Sequence, residues 1–226
     1  MKAVILAAGN GTRMGELTKE TPKPLLKIRD KTLLEYKMDI LPENCDEIIV
    51  VIGYLGNKIR EYFGAEYKGK KITYIEAETL GTGYALWAAK EYLTEPFIVM
   101  CGDDLYTKKD IEECVKHPFA SLVHRSEKEI SGGSVILDEN EEYIKDIIEG
   151  SHEKGAVIAT GLYVLTPEVF SLPLVQIPNR NEYGLPQTIM QMKERGIRSV
   201  FATAWYQVTA PEDLAVSSQE INNYLP

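Results

Sequence analysis

Leu6-Ala7-Ala8-Gly9-Asn10-Gly11-Thr12-Arg13-Met14, preceded by Ala3-Val4-Ile5 and continued by Thr21-Pro22-Lys23-Pro24-Leu25, is the stretch that decides how this chain reads. Six apolar residues run from Ala3 to Ala8 without alternation, which is the pattern of a strand buried on both faces. The strand ends on paired glycines, whose backbone can approach a ligand and aim amides at phosphate oxygens. Arg13 adds a fork of donors suited to phosphate and Lys23 a point charge. Pro22 and Pro24 restrict the backbone on either side of that lysine. Two better-known glycine loops are excluded: no Gly-Lys-Ser/Thr occurs, and the third glycine of G-x-G-x-x-G is replaced by Met14. Taken alone, a glycine pair is only a turn, but here it joins two cations and two prolines behind one apolar strand.

Outward from this stretch, apolar runs of strand length recur at 48–52, 72–75 and 97–101, and helical patterns fill 33–41, 57–63, 84–93 and 109–115. Continuous apolar strands separated by amphipathic helices predict a parallel sheet covered on both faces. Strand candidates then crowd together at 119–125, 133–137, 143–148 and 157–165, with turns at Ser131-Gly132-Gly133 and Asp138-Glu139-Asn140. These predict antiparallel strands added beside the parallel sheet. Helices at 186–195 and 211–224 flank a last strand at 199–203. The expectation is one α/β domain over 1–226, with a first part at about 1–118 and an antiparallel accessory part at about 119–226.

Composition bounds the function. The 226 residues carry 25 Lys+Arg and 34 Asp+Glu, a formal charge of −9. That balance argues against a nucleic-acid coat or a membrane-surface binder, which need basic patches. The average hides an asymmetry: residues 1–31 hold seven Lys/Arg against three Asp/Glu, leaving 18 basic and 31 acidic residues for the rest. Three cysteines (Cys45, Cys101, Cys114) without a C-x-x-C or a histidine companion give neither a disulfide framework nor a zinc knuckle. A cytoplasmic chain is the expectation. No apolar run spans a bilayer, and the charges at Arg13 and Glu16 end the N-terminal run too early for a signal peptide.

The match of residues 6–25 to L-A-A-G-x-G-T-R-x…L-T…P-K-P-L resembles the N-terminal signature of the sugar-1-phosphate nucleotidylyltransferases. The resemblance covers nearly the whole chain and is strongest through Asp104. It implies a Rossmann-like nucleotidyltransferase fold and the reaction of an NTP with a sugar 1-phosphate to give an NDP-sugar and pyrophosphate. By the same resemblance, Arg13 holds the triphosphate and Lys23 stabilises charge around the α-phosphate, while Leu6, Ala7, Ala8, Gly9, Asn10, Gly11 and Thr12 line the nucleotide. The chemistry agrees: a sugar phosphate is already an anionic nucleophile, so the site needs positioning and charge neutralisation more than a general base.

The segment Glu76-Ala77-Glu78-Thr79-Leu80-Gly81-Thr82-Gly83 ends a strand and opens a helix. Alone it reads as helix capping by Thr82. Within the resemblance, Leu80, Gly81 and Thr82 match the nucleoside-binding turn, and Glu76 stands where uridylyl and thymidylyl members carry Gln. A carboxylate only accepts hydrogen bonds, which leans the base toward GTP or CTP. Asp103 follows the buried run 97–101, where a carboxylate at a strand's carboxyl end suits Mg²⁺, and the resemblance makes it a Mg²⁺ ligand.

Downstream, by the same resemblance, Gly133, Glu149, Thr160-Gly161-Leu162-Tyr163 and Asn181-Glu182-Tyr183 align with the sugar-binding strands and the loop that follows them, with Gly133, Glu149, Thr160 and Gly161 as the sugar-binding candidates. Two departures stand out: Gly150 replaces a lysine that normally meets the sugar phosphate, with Lys154 as a substitute, and Gln207 replaces the second Asp that ligates Mg²⁺ in W-x-D-x-x-x-P-x-D-L. The expected partners are an NTP and a sugar 1-phosphate, with no nucleic acid and no membrane; a homo-oligomer stays open. The expectation from the length is a chain without the β-helix acyltransferase domain that some relatives append. Rival readings are a cytidylyltransferase for phosphocholine or another non-sugar phosphate, and a non-catalytic sugar-nucleotide-binding regulator.

Overall fold

The computed structural model describes residues 1–215 and 221–225. In chain order the strands are β1 (Lys2–Ala7), β2 (Lys27–Ile28), β3 (Lys31–Thr32), β4 (Glu47–Ile52), β5 (Glu66–Tyr67), β6 (Lys70–Glu76), β7 (Phe97–Cys101), β8 (Leu105–Tyr106), β9 (Ala120–Arg125), β10 (Ile130–Leu137), β11 (Tyr143–His152), β12 (Val157–Leu165), β13 (Ile197–Phe201) and β14 (Trp205–Tyr206). The α-helices are α1 (Leu33–Asp39), α2 (Gly56–Phe63), α3 (Thr82–Ala88), α4 (Lys108–Cys114) and α5 (Leu185–Ile189). Ten strands form one sheet in the order β10-β11-β13-β9-β12-β7-β1-β4-β6-β5, and two short ribbons, β2–β3 and β8–β14, stand apart from it.

The parallel heart of the sheet is β7-β1-β4-β6, with Ile5 opposite both Val50 and Met100. Its continuous apolar sequence follows from burial on both faces. Ala3, Ile5, Ala7, Ile48, Val50 and Ile52 pack with Leu34, Met38, Ile59, Phe63 and Ile111 of α1, α2 and α4. The alternate residues Val4, Leu6, Ile49 and Val51 pack with Ala85, Leu86, Leu185 and Ile189 of α3 and α5. The predicted antiparallel addition is present. Strand β12 runs antiparallel to both β7 and β9, β10 and β11 form a long hairpin, and β13 lies parallel to β9. The two sequence-predicted parts therefore share one sheet, joined where β12 pairs with β7.

Helix boundaries differ modestly from expectation. Helix α3 ends at Ala88 and passes into a 3-10 turn, Lys90–Tyr92. The predicted helix at 186–195 is α5 followed by the 3-10 segment Met190–Arg195. Of the helix predicted at 211–224, residues 216–220 lie outside the described residues, and its flanks are 3-10 turns, Pro211–Leu214 and Asn222–Tyr224. Among the described residues no helix is long and apolar enough to cross a membrane.

Candidate active site

The carboxyl ends of β1 and β7 open into a cavity of about 470 Å³, a volume suited to a nucleotide-sized ligand. Leu6, Ala7, Ala8, Gly9, Gly11, Thr12 and Arg13 line one side. Gly11 has φ 64°, and its carbonyl accepts from Thr18 Oγ1 at 3.0 Å, which folds the loop back on itself. Lys23 begins a 3-10 turn directly after Pro22, so its extended predecessor and short turn aim the side chain inward. Its Nζ donates to Asp103 Oδ2 at 2.8 Å and to Val208 O at 2.6 Å. Lys23 is 7% exposed, so this ion pair sits largely out of water. Arg13 makes no ion pair or hydrogen bond through its guanidinium among the described residues.

Asp103 and Asp104 follow β7 and lie in different electrostatic settings. Burial raises the pKa of Asp103, but the neighbouring Lys23 charge and hydrogen bond outweigh it and hold the carboxyl below its ordinary value. The Asp104 carboxylate accepts from Trp205 Nε1 at 3.1 Å and pairs with no lysine among the described residues; burial, then the charge of Asp103, pushes it well up. Beneath the pair lies a cation that pattern reading passed over, Lys37 of α1. It is fully buried and donates to Asp104 O and Leu33 O. Burial lowers its pKa to about 8 against the opposing pull of Asp103 and Asp104. A capping box between Thr32 and Glu35 starts α1 and so sets the height of Lys37 beneath the turn. Its sequence signal was present: Lys37 falls three and four residues after Leu34 and Leu33, on the apolar stripe.

The second glycine turn is bound to a hairpin that includes Asn181, Glu182 and Tyr183. Tyr183 N donates to Leu80 O at 2.7 Å, and Gly83 N donates to Tyr183 O at 2.8 Å. Tyr84 and Tyr183 stack with centroids 6.4 Å apart. Thr82 is not a capping residue here. Its Oγ1 accepts from Leu185 N at 3.0 Å and ties α3 to α5. Gly81 and Thr82 line the cavity, together with Glu78 and Thr79. Leu80, Asn10 and Glu76 do not. Glu76 is turned outward to Arg60, at 3.1 Å, with its side chain 75% exposed, so it carries no argument about the base in this arrangement. Asn10 is exposed at the rim, with its Oδ1 3.3 Å from Thr79 Oγ1.

The far wall comes from β10, β11 and β12. Gly133 and Glu149 are cross-strand partners, and a Cβ at Gly133 would lie 3.2 Å from Glu149 Oε1. That carboxylate oxygen accepts from Gln187 Nε2 at 3.0 Å. Thr160 and Gly161 reach the cavity where the β9–β12 register breaks between Ala159 and Tyr163. A bulge beside a site re-aims the backbone there. The Thr160 hydroxyl is already donated to Leu122 O at 2.9 Å, so this residue contributes backbone rather than its side chain. Gln207 lines the cavity on a segment held by Asp213 Oδ2, which accepts from Thr209 N at 2.7 Å and Ala210 N at 2.8 Å. Lys154 does not line it; it lies in the turn between β11 and β12. Glu182, which the resemblance aligned with the sugar-binding loop, lines the cavity; besides Lys37, sequence reading missed Arg180 and Gln187 of the wall.

Arg13, Lys23, Asp103, Gln207 and the predicted residues of the far wall thus meet around one space, with cations on the glycine-loop side and carboxylates at both ends. Such an arrangement has the charges that phosphorylated ligands require. The nucleotidyl transferase family pattern matches residues 2–223. A UTP–glucose-1-phosphate uridylyltransferase, AglF, of Haloferax volcanii is 30% identical over 98% of this chain and 96% of its own length. A D-glycero-alpha-D-manno-heptose 1-phosphate guanylyltransferase of Campylobacter jejuni is 30% identical over 94% of this chain and 96% of its own. The bifunctional protein GlmU of Methanocaldococcus jannaschii is 31% identical over all of this chain, which spans 54% of that longer protein. Among solved structures, a UDP-glucose pyrophosphorylase complexed with UDP-glucose superposes with a TM-score of 0.79 at 22% identity, covering 99% of this chain and 97% of that one. The fold is therefore the α/β Rossmann-like nucleotidyltransferase fold, and the chain belongs to the nucleotidyl transferase family of enzymes, the sugar-1-phosphate nucleotidylyltransferases, which join an NTP to a phosphate-bearing substrate.

Proposed function

We propose that the chain joins an NTP to a sugar 1-phosphate and releases pyrophosphate. The observation that carries this reading is the shared cavity. The glycine loop with Arg13 and Lys23 faces a wall bearing Glu149 across one space, so a triphosphate and a polyhydroxylated phosphate can lie side by side. In the proposed step an oxygen of the acceptor phosphate attacks the α-phosphorus. The new P–O bond forms as the bond to the bridging β-oxygen breaks, and pyrophosphate leaves with that electron pair. No proton has to be removed from the nucleophile, consistent with a cavity lined by no histidine.

Each residue's part follows from its surroundings. Arg13, whose guanidinium has no partner among the described residues, supplies donors to the triphosphate. Lys23 is held by Asp103 and Val208 O, so its ammonium is preoriented toward charge building on the α-phosphate. Glu149 accepts hydroxyl donors of the sugar. For Mg²⁺, the fit is with an ion bound mainly through phosphate oxygens. Asp103 offers one carboxylate and Gln207 a neutral amide, and among the described residues no three His, Cys, Asp or Glu gather to hold a metal. When bound, the ion would neutralise phosphate charge.

The test is pyrophosphate release over a matrix of ATP, GTP, CTP, UTP and dTTP against hexose 1-phosphates, inositol 1-phosphate and phosphocholine. Turnover with a hexose 1-phosphate supports the proposal. Turnover with phosphocholine alone replaces the sugar with a non-sugar acceptor. Nucleotide binding without any turnover would make the chain a non-catalytic binder.

A further inference from the structure

Glu149 stands on β11 with little around it to fix its side chain. It is exposed, its cross-strand partner is Gly133, and the next pair along the hairpin is Gly132 with Gly150. Glycines give a neighbouring side chain nothing to pack against, so an exposed glutamate among them would sample several rotamers. One contact holds it: Gln187 Nε2 donates to Glu149 Oε1 at 3.0 Å. Among the described residues the second oxygen, Oε2, has no hydrogen bond. The clamp therefore takes one oxygen and leaves the other for a ligand in the cavity that both residues line.

Gln187 is delivered on a fixed backbone. It lies in α5, whose first residue, Leu185, donates through its N–H to Thr82 Oγ1 at 3.0 Å. The preceding Gly184 N donates to Val175 O at 3.0 Å, and Gly184 O accepts from Thr188 Oγ1 at 2.7 Å. Charge decides which end of the amide meets Glu149: a carboxylate only accepts, so it faces the NH2. That orientation leaves Gln187 Oε1 buried and without a hydrogen-bond partner among the described residues. An unpaired buried acceptor destabilises a fold, so stability alone does not favour this side chain. Gly184 makes room for it. With φ −86° and ψ 129°, the backbone of Gly184 is open to any residue, yet a Cβ there would lie 1.6 Å from Gln187 Oε1 and 2.6 Å from Gln187 Cδ. The next atom out, Ile177 Cγ1 at 3.0 Å, would have to give only slightly. The glycine is thus required by the amide and not by the chain.

We propose that Gln187 is a positioning residue for the acceptor: it holds the Glu149 carboxylate so that Oε2 faces the hydroxyl groups of the phosphorylated acceptor, with Gly184 as its seat. This assignment rests on the reading that the acceptor is a sugar phosphate whose hydroxyls Glu149 accepts. The contribution is preorganisation. Rotamer freedom that Glu149 would otherwise lose on binding is already removed before the acceptor arrives.

The experiment is steady-state kinetics of pyrophosphate release by the wild type, Gln187→Ala, Gln187→Glu and Gly184→Ala, with NTP and a hexose or inositol 1-phosphate varied separately and a thermal melt confirming the folded state of each. Gln187→Ala is expected to raise the acceptor KM about tenfold and leave the NTP KM within about twofold. Gly184→Ala evicts the amide and should match it; combining the two should add nothing, because changes that remove one shared contact are not additive. Gln187→Glu sets a second carboxylate against Glu149. At about pH 8 the two repel and the acceptor KM rises at least as far, whereas at about pH 5.5 a proton shared between them restores the bond and the ratio to wild type falls toward one. Arg180 and Glu182 of the hairpin and Tyr163 of β12 also line this part of the cavity. The wild type carries them too, so the ratio removes their titration. An unchanged acceptor KM in Gln187→Ala, a rise shared by the NTP, or a Gln187→Glu ratio equal at both pH values overturns the assignment while leaving the transferase reading standing. Turnover with phosphocholine alone, or with no pair at all, overturns the sugar-phosphate reading and this assignment together.

Discussion

Gly81 couples the stability of the fold to the shape of the cavity proposed to take the nucleotide, and replacing it with alanine tests that coupling. Its backbone has φ 97° and ψ 168°, a region nearly closed to residues with a Cβ. Occupying it costs about 1–3 kcal/mol. The added Cβ would also lie 2.4 Å from Tyr183 O and 2.7 Å from Tyr183 N. Both atoms are backbone, and both already serve hydrogen bonds to the turn, so neither can yield without breaking a bond. Overlap of this kind adds roughly another 1–3 kcal/mol, which brings Gly81→Ala to about 4 kcal/mol in all. The control is Gly9→Ala. Gly9 lines the same cavity, but a Cβ there meets nothing within 4 Å. Urea denaturation with nucleotide titration separates the two. Gly81→Ala should lower the unfolding midpoint by on the order of 1.5 M and weaken nucleotide binding. Gly9→Ala should leave the midpoint within about 0.5 M and affect binding alone. A Gly81→Ala protein as stable as wild type, with normal nucleotide affinity, would refute the claim that the hairpin and turn interlock.

Two more perturbations probe the charges beneath the cavity. Lys23→Met should lower kcat by about 100-fold or more; a wild-type rate in rapid-quench turnover would contradict a role for the preoriented Lys23 ammonium. Lys37 gives a pH signature. Its folded pKa, about 8, lies below the ordinary 10.5, so its buried charge opposes folding most at low pH, and that penalty fades as pH rises through 8 toward 10.5. Relative to Lys37→Met, the wild type should therefore gain on the order of 2 kcal/mol of stability between pH 7 and 9.5. Parallel stability curves for the two proteins would show that Lys37 is not buried as a charge.

What the sequence determined by itself was whatever neighbouring residues encode. The unbroken apolar runs of β1, β4 and β7 required a sheet covered on both faces. The Gly9–Arg13 loop, with Lys23 between prolines, marked a candidate phosphate site, which the fold places on the cavity, because backbone freedom and charge were written within a few positions of each other. Close-spaced strands beyond 119 announced the antiparallel addition. What only the tertiary structure decided were partners separated by tens of residues. Lys37 belongs to the site because α1 passes under the turn after β7, 67 residues later. Thr82 is tied to Leu185 rather than capping its own helix. Glu76 turns to Arg60 and away from the cavity because its strand end faces α2 there, and Arg180 reaches the cavity on a hairpin docked to Leu80 and Gly83. Periodicity and turn chemistry are local and survive in one dimension. The face a side chain meets across the fold is set by packing between elements, and no local pattern records it.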